Sequence, residues 1–93
     1  MGQNLEMSYS IKFKNSSKND LKKIKNSPFR KKFDEIIKRL SVNPYDPSDN
    51  FEKLFPPEDK LYSRRLNIQH RIVYSIDEEK KIVHIYSAWN HYE

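Results

Sequence analysis

The residues of this chain that could do chemistry are few and far apart in sequence. Glu52 lies in a long loop, Arg65 and Arg71 lie in two neighbouring strand-like runs, and His91 with Tyr92 stands at the end. A carboxylate, two guanidiniums, a histidine and a tyrosine on a basic domain form a minimal set for cleaving RNA. Such cleavage needs a base to take the ribose 2′-hydroxyl proton and an acid to protonate the departing 5′-oxygen. It also needs cations to stabilise the charge that builds on the phosphorane. Each residue has a plainer reading as well: strand arginines and loop glutamates are often merely solvated, and a terminal His-Tyr pair can be a frayed end. A metal centre from His70, His84 and His91 would lack motif spacing and any cysteine, so neither metal nor cofactor is expected.

The whole chain bounds what can position these groups. At 93 residues it has room for one domain with one modest core. Residues 1–7, "MGQNLEM", carry no pattern and read as a leader or remnant, which leaves a single domain over 8–93. The apolar residues include six Tyr, five Phe and one Trp, rings that bury much area each, so the polar composition is still compatible with a folded core. Cysteine is absent, which excludes a disulfide framework and fits a reducing compartment. No stretch has the length of a membrane span and none has the pattern of a signal peptide, so the expected place is the cytoplasm, away from membrane. A formal charge of +5 makes a polyanion the leading class of partner.

Tyr9, Ile11 and Phe13 alternate with Ser10, Lys12 and Lys14, the period of a half-buried strand. A short helix follows, with Ser16 or Ser17 as its cap and Leu21 and Ile24 as its apolar stripe. Pro28 suits the first turn of a second helix, in which Phe29, Phe33, Ile36, Ile37 and Leu40 make one face and Asn43-Pro44 the stop. Residues 41–60 form a connection broken by four prolines, long enough in so small a domain to suggest function. Within it "FEKLF" could make a short strand anchored by Leu54. Three strand-like runs close the chain: "LYSRRLNI", "HRIVYSI" and "KIVHIYSAW", the last two joined by a turn at 77–81 that lacks glycine. The expected fold is α+β, β-α-α-β-β-β, with a mainly antiparallel sheet, both helices on one face and the other face open.

Strand parity places the side chains. Tyr62, Leu66 and Ile68 share one face, while Ser63, Arg65 and Asn67 share the other; Ile72, Tyr74 and Ile76 likewise oppose Arg71, Val73 and Ser75. With the apolar faces on the helices, Arg65 and Arg71 project together from the open side as a phosphate clamp. Arg64 falls on the helix side and is expected to snorkel at its edge. The last run is apolar on both faces, as in a central strand, and His84 reads there as a packed sheet histidine. His70, beside Arg71, is either structural or a phosphate neighbour.

"YSRRLNIQHRIVYSI" followed by "SAWNHYE" resembles the YoeB/Txe branch of the RelE-like bacterial toxins, whose members carry an S-R-R block, an H-R-[IL]-V-Y strand and a terminal H-Y pair. The resemblance runs from about Tyr9 to the end and is most specific over Leu61–Tyr92. Glu52, two residues before Leu54 and thirteen before Arg65, matches the family's catalytic glutamate. The resemblance implies the RelE-like fold and the toxin of a type II toxin–antitoxin system, a ribosome-dependent endoribonuclease cutting mRNA in the 30S A site. It implies Glu52 as general base, His91 as general acid, Arg65 and Arg71 on the phosphate, and Tyr92 orienting the substrate. Arg64, Lys53 and His70 would add RNA contacts. Some relatives have a lysine three residues after the glutamate, where this chain has Phe55; Lys53 is the nearest substitute. The implied partners are an acidic YefM/Axe-like antitoxin, the ribosome with its mRNA, and a second copy in a homodimer. The rival reading is a non-catalytic relative that binds RNA or gyrase.

Overall fold

The structure, a computed structural model, describes residues 8–89. Alternation sets β1 (Ser10–Phe13), with Ile11 and Phe13 half-buried and Ser10 and Lys12 exposed. One 3₁₀ turn (Asn15–Ser17) leads into α1 (Lys18–Lys25). Ser17 occupies the cap position, but its hydroxyl donates backward to the Lys14 carbonyl at 2.8 Å and does not cap the helix. The second helix, α2 (Arg30–Val42), begins two residues after Pro28 and buries Phe33, Ile36 and Leu40 along one stripe. Each such side chain fully removed from water contributes about 1.5–3 kcal/mol. The helix stops where Asn43 donates its N–H to the Arg39 carbonyl and Pro44 follows.

The remaining strands are β2 (Glu52–Lys53), β3 (Tyr62–Arg65), β4 (Arg71–Asp77) and β5 (Ile82–Ser87). They form one sheet in the order β1-β5-β4-β3-β2, antiparallel except where β1 lies parallel to β5. Ile24, Phe33, Ile36 and Leu40 from the helices meet Ile72, Tyr74, Val83, Ile85 and Ala88 from the sheet and its end in one core. The helices thus cover one face, and β5 is central as its two apolar faces suggested. The short strand expected within "FEKLF" forms at Glu52–Lys53, paired to β3.

One local expectation is corrected here, and the expected hairpin turn forms. The third strand stops at Arg65, because the N–H groups of Leu66 and Asn67 both reach the His70 carbonyl and the Asn67 side chain accepts the N–H groups of Gln69 and His70 at 2.8 and 2.7 Å. This is the local turn chemistry of asparagine. It takes Ile68 out of the strand and leaves it 91% exposed, not on the buried face with Tyr62. The glycine-free turn after β4 closes with Lys81 in the left-handed region, φ 56°, while Asp77 accepts the Lys80 N–H at 3.0 Å.

Candidate active site

Register brings the open-face residues together. Glu52 on β2 lies opposite Ser63 on β3, and Arg65 on β3 lies opposite Arg71 on β4. All four therefore project from the face away from the helices. Arg71 donates from one terminal nitrogen to Glu52 Oε1 at 2.5 Å and, more weakly, to Ser63 Oγ at 3.4 Å. Glu52 remains 55% exposed, so its carboxylate is open to an incoming group even while paired. The Arg65 Nε is buried and meets no hydrogen-bond acceptor among the described residues. A carboxylate and two guanidiniums are thus within one patch, with one donor still to be satisfied.

What holds Glu52 there is a cage built around Arg64. The expectation that Arg64 snorkels at the edge and contacts RNA is corrected: its side chain has no exposed surface. Its guanidinium donates to the carbonyls of Ser48 (2.8 Å) and Pro44 (3.1 Å) and to the Tyr74 hydroxyl (3.2 Å), and it lies over the Phe51 ring. The Tyr74 hydroxyl donates in turn to the Pro44 carbonyl at 2.9 Å. Burial pushes that hydroxyl up to about 12, against the lowering pull of Arg64, so it stays protonated as a donor at neutral pH. Asp49 completes the cage with ion pairs to Lys32 (3.0 Å), Arg39 and Arg64 (3.7 Å), and its carbonyl accepts the Arg65 N–H at 2.7 Å. Burial alone would raise the Asp49 carboxyl, but hydrogen bonds from Lys32 and Arg39 outweigh it and hold the group below its ordinary range. The loop before β2 is therefore fastened to α2 and β3 just upstream of Glu52. Nothing in the spacing of Asp49 announced this, since its partners come from α2 and β3.

The other expected site residues fall elsewhere. Lys53 pairs with Tyr62, so it projects from the opposite face to Glu52 and is not brought to the arginines. His70 is buried, its ring stacked on Trp89 at 4.0 Å and edge-on to Phe29 at 6.5 Å. Trp89 also meets Phe29, and the Ala88 N–H just before it is held by the Asp20 carboxylate at 3.0 Å. The chain is thus anchored at the end of the sheet where Arg71 begins. The expected roles of His91 and Tyr92 lie outside the described residues. Among the described residues no group of three or more His, Cys, Asp or Glu could hold a metal ion, and no helix is long and apolar enough to cross a membrane.

Residues 13–92 match the family of YoeB-like toxins of bacterial type II toxin–antitoxin systems. No curated protein sequence matches the chain. Among solved structures, the YoeB dimer from Staphylococcus aureus is 30% identical, with a TM-score of 0.78 over 91% of this chain and 99% of that one. The heterotetrameric YoeB–YefM complex from the same organism is also 30% identical, with a TM-score of 0.75 over 90% and 98%. A YoeB/ParE toxin from Agrobacterium tumefaciens shares the fold at 20% identity, with a TM-score of 0.79 over 89% and 99%.

Proposed function

This chain belongs to the YoeB-like toxins of bacterial type II toxin–antitoxin systems, and we propose that it is a ribosome-dependent endoribonuclease that cuts mRNA in the A site and so stops translation. The observation that carries this reading is the Glu52–Arg71 pair beside Arg65 on the open face. In the free protein Arg71 holds the Glu52 carboxylate. A scissile phosphate arriving between the arginines competes for Arg71 and releases Glu52 toward the ribose. Glu52 takes the 2′-hydroxyl proton, and the 2′-oxygen attacks the adjacent phosphorus. Arg65 and Arg71 stabilise the phosphorane's charge. As the P–O5′ bond breaks, His91 gives its proton to the 5′-oxygen, leaving a 2′,3′-cyclic phosphate and a 5′-hydroxyl end.

His91 follows by two residues Trp89, whose ring stacks on that of His70, the residue before Arg71. Tyr92 beside it would orient the substrate. A domain this small offers little surface for reading a sequence, so presentation of the mRNA falls to the ribosome. That places the toxin in the cytoplasm. The S. aureus relatives are described as a YoeB–YefM complex and a YoeB dimer. By the same logic an acidic antitoxin covers this basic open face, and the toxin also pairs with a second copy.

Primer extension on an mRNA in a reconstituted translation mixture, with and without ribosomes, tests the reading. Cuts within A-site codons that vanish without ribosomes and in His91→Ala are the expected result. Ribosome-independent cuts would keep the chemistry and discard the A-site presentation. No cuts from a folded and toxic protein would overturn the reading in favour of a non-catalytic RNA- or gyrase-binding relative.

A further inference from the structure

The open face continues beyond Arg71 onto β5 and β1. The register that sets Glu52 beside Ser63 and Ser63 beside Val73 also sets Val73 beside Ser87, across the irregularity in the β4–β5 pairing. Tyr86 precedes Ser87, and its hydroxyl accepts a hydrogen bond from Ser75 at 3.3 Å. Ser75 lies opposite His84, and His84 lies beside Lys12 on β1. Lys14, the residue just after β1, holds its ammonium 5.8 Å from the centre of the Tyr86 ring. The Tyr86 and His84 side chains are half-exposed, and Lys12 and Lys14 are exposed. Neither lysine has an acidic partner among the described residues.

This cluster has no work to do in the core, which lies on the other face. It has the composition of a single-strand platform instead: an aromatic ring for a base and unpaired cations for the backbone. Its place fits that use. Neighbouring strands are about 4.8 Å apart, so Tyr86 lies roughly 14 Å from the β2 strand that carries Glu52, and Lys14 roughly 19 Å. A few nucleotides span that distance. Besides Glu52, the acids near the platform are Asp59, Asp77 and Glu78, which line one cavity with His84 and Tyr86; Asp77 stands at the far end of β4 from Arg71, opposite Ile82, and Glu78 is held by Lys81. A strand crossing the sheet from the Arg65–Arg71 pair to Lys14 meets cations at both ends and a ring between them.

We propose that Tyr86, with Lys14 and Lys12, forms a second RNA subsite that holds the single strand flanking the cleaved nucleotide, a base stacking on Tyr86 and backbone phosphates meeting the lysines. The proposal rests on the RNA-cleaving reading of the Glu52, Arg65 and Arg71 patch, which fixes where the scissile nucleotide sits.

The test uses two 2′-O-methyl oligoribonucleotides, a trimer and a nonamer, which lack the attacking hydroxyl and so report binding alone. Fluorescence anisotropy at low salt should show the wild type binding the nonamer at least about tenfold tighter than the trimer. Tyr86→Ala combined with Lys14→Ala should remove that advantage while leaving trimer affinity within about twofold. Tyr86→Phe, which keeps the ring and loses only the contact with Ser75, should retain it. Lys12→Ala with Lys14→Ala should flatten the salt slope for the nonamer by about 1.4. The proposal is overturned if the wild type shows no length advantage, if the advantage survives the Tyr86/Lys14 pair of changes, or if those changes weaken the trimer equally. Cleavage on ribosomes, measured in parallel, separates the two readings. A length advantage that depends on Tyr86 in a protein that cuts no mRNA would sink the nuclease reading and leave the subsite standing.

Discussion

Arg64 and Arg65 are neighbours in sequence with opposite fates, and the difference separates the two jobs of β3. Arg64 points into the helix-covered face, where two backbone carbonyls, a tyrosine hydroxyl and Asp49 surround a guanidinium with no exposed surface. Arg65 points to the open face beside Arg71, half-exposed, with a buried Nε that meets no acceptor among the described residues. A buried charge is tolerated only when it is hydrogen-bonded and paired, so Arg64 is a component of the fold. One strand thus holds the loop before Glu52 with one arginine and sets the next on the open face beside Arg71, where the proposed cleavage would take place.

The comparison is broken most sharply by removing each arginine in turn. Arg64→Ala should cost about 3–5 kcal/mol, because it strips a buried charge cluster of its centre and leaves the Pro44 and Ser48 carbonyls and the Tyr74 hydroxyl short of a partner. That is a large part of the total stability of a domain this size, so urea unfolding should shift far to lower midpoint or be lost altogether. A loss under about 1 kcal/mol would show that the cage is not what fastens the loop. Arg65→Ala should do the reverse. Its unfolding midpoint should correspond to a change within about 0.5 kcal/mol, while mRNA cleavage on ribosomes falls by about 10²–10³-fold, as for loss of one transition-state donor. Equal damage to stability and cleavage in both variants would erase the distinction between the faces.

The sequence made the open face readable through alternation. Arg71, Val73 and Ser75 against Ile72, Tyr74 and Ile76 is a clean period of two, and it correctly put Arg65 and Arg71 on one side together. The layering followed from the stripe of Phe33, Ile36 and Leu40. What could not be read depends on contacts between distant segments. The same parity put Arg64 on the helix side, but its complete burial depends on carbonyls from a proline-broken loop with no period of its own. Ile68 looked like a strand residue because the Asn67 side chain, which ends the strand, leaves no mark on hydrophobic spacing. The parallel placement of β1 beside β5 is likewise invisible, since the order of elements along a chain does not fix which edge the first strand takes. The resemblance to a known family located Glu52; the register of β2 on β3 is what brings it to Arg71.

Asp49 sharpens the same comparison with pH, because it acts only on the structural side. Its carboxyl is held below its ordinary value by Lys32 and Arg39 despite burial. A folded-state pKa below the unfolded one means that the folded protein holds the carboxylate more readily than the unfolded chain does. The stability this supplies is fully present above the ordinary Asp value, about 3.9, and is lost as pH falls through the lower folded value. Asp49→Asn should therefore cost about 2 kcal/mol near neutral pH, the scale of hydrogen bonds to a charged group. The gap between the two proteins should close as the solution is taken below about pH 4, where the wild type loses the same contribution. Urea unfolding at neutral and at acid pH checks this. A gap that stays constant with pH would mean that Asp49 acts through packing of its loop and not through its charge. Cleavage by Asp49→Asn at a temperature where the variant stays folded should fall far less than in Arg65→Ala, since Asp49 touches the arginine's backbone N–H and not the substrate side of the sheet.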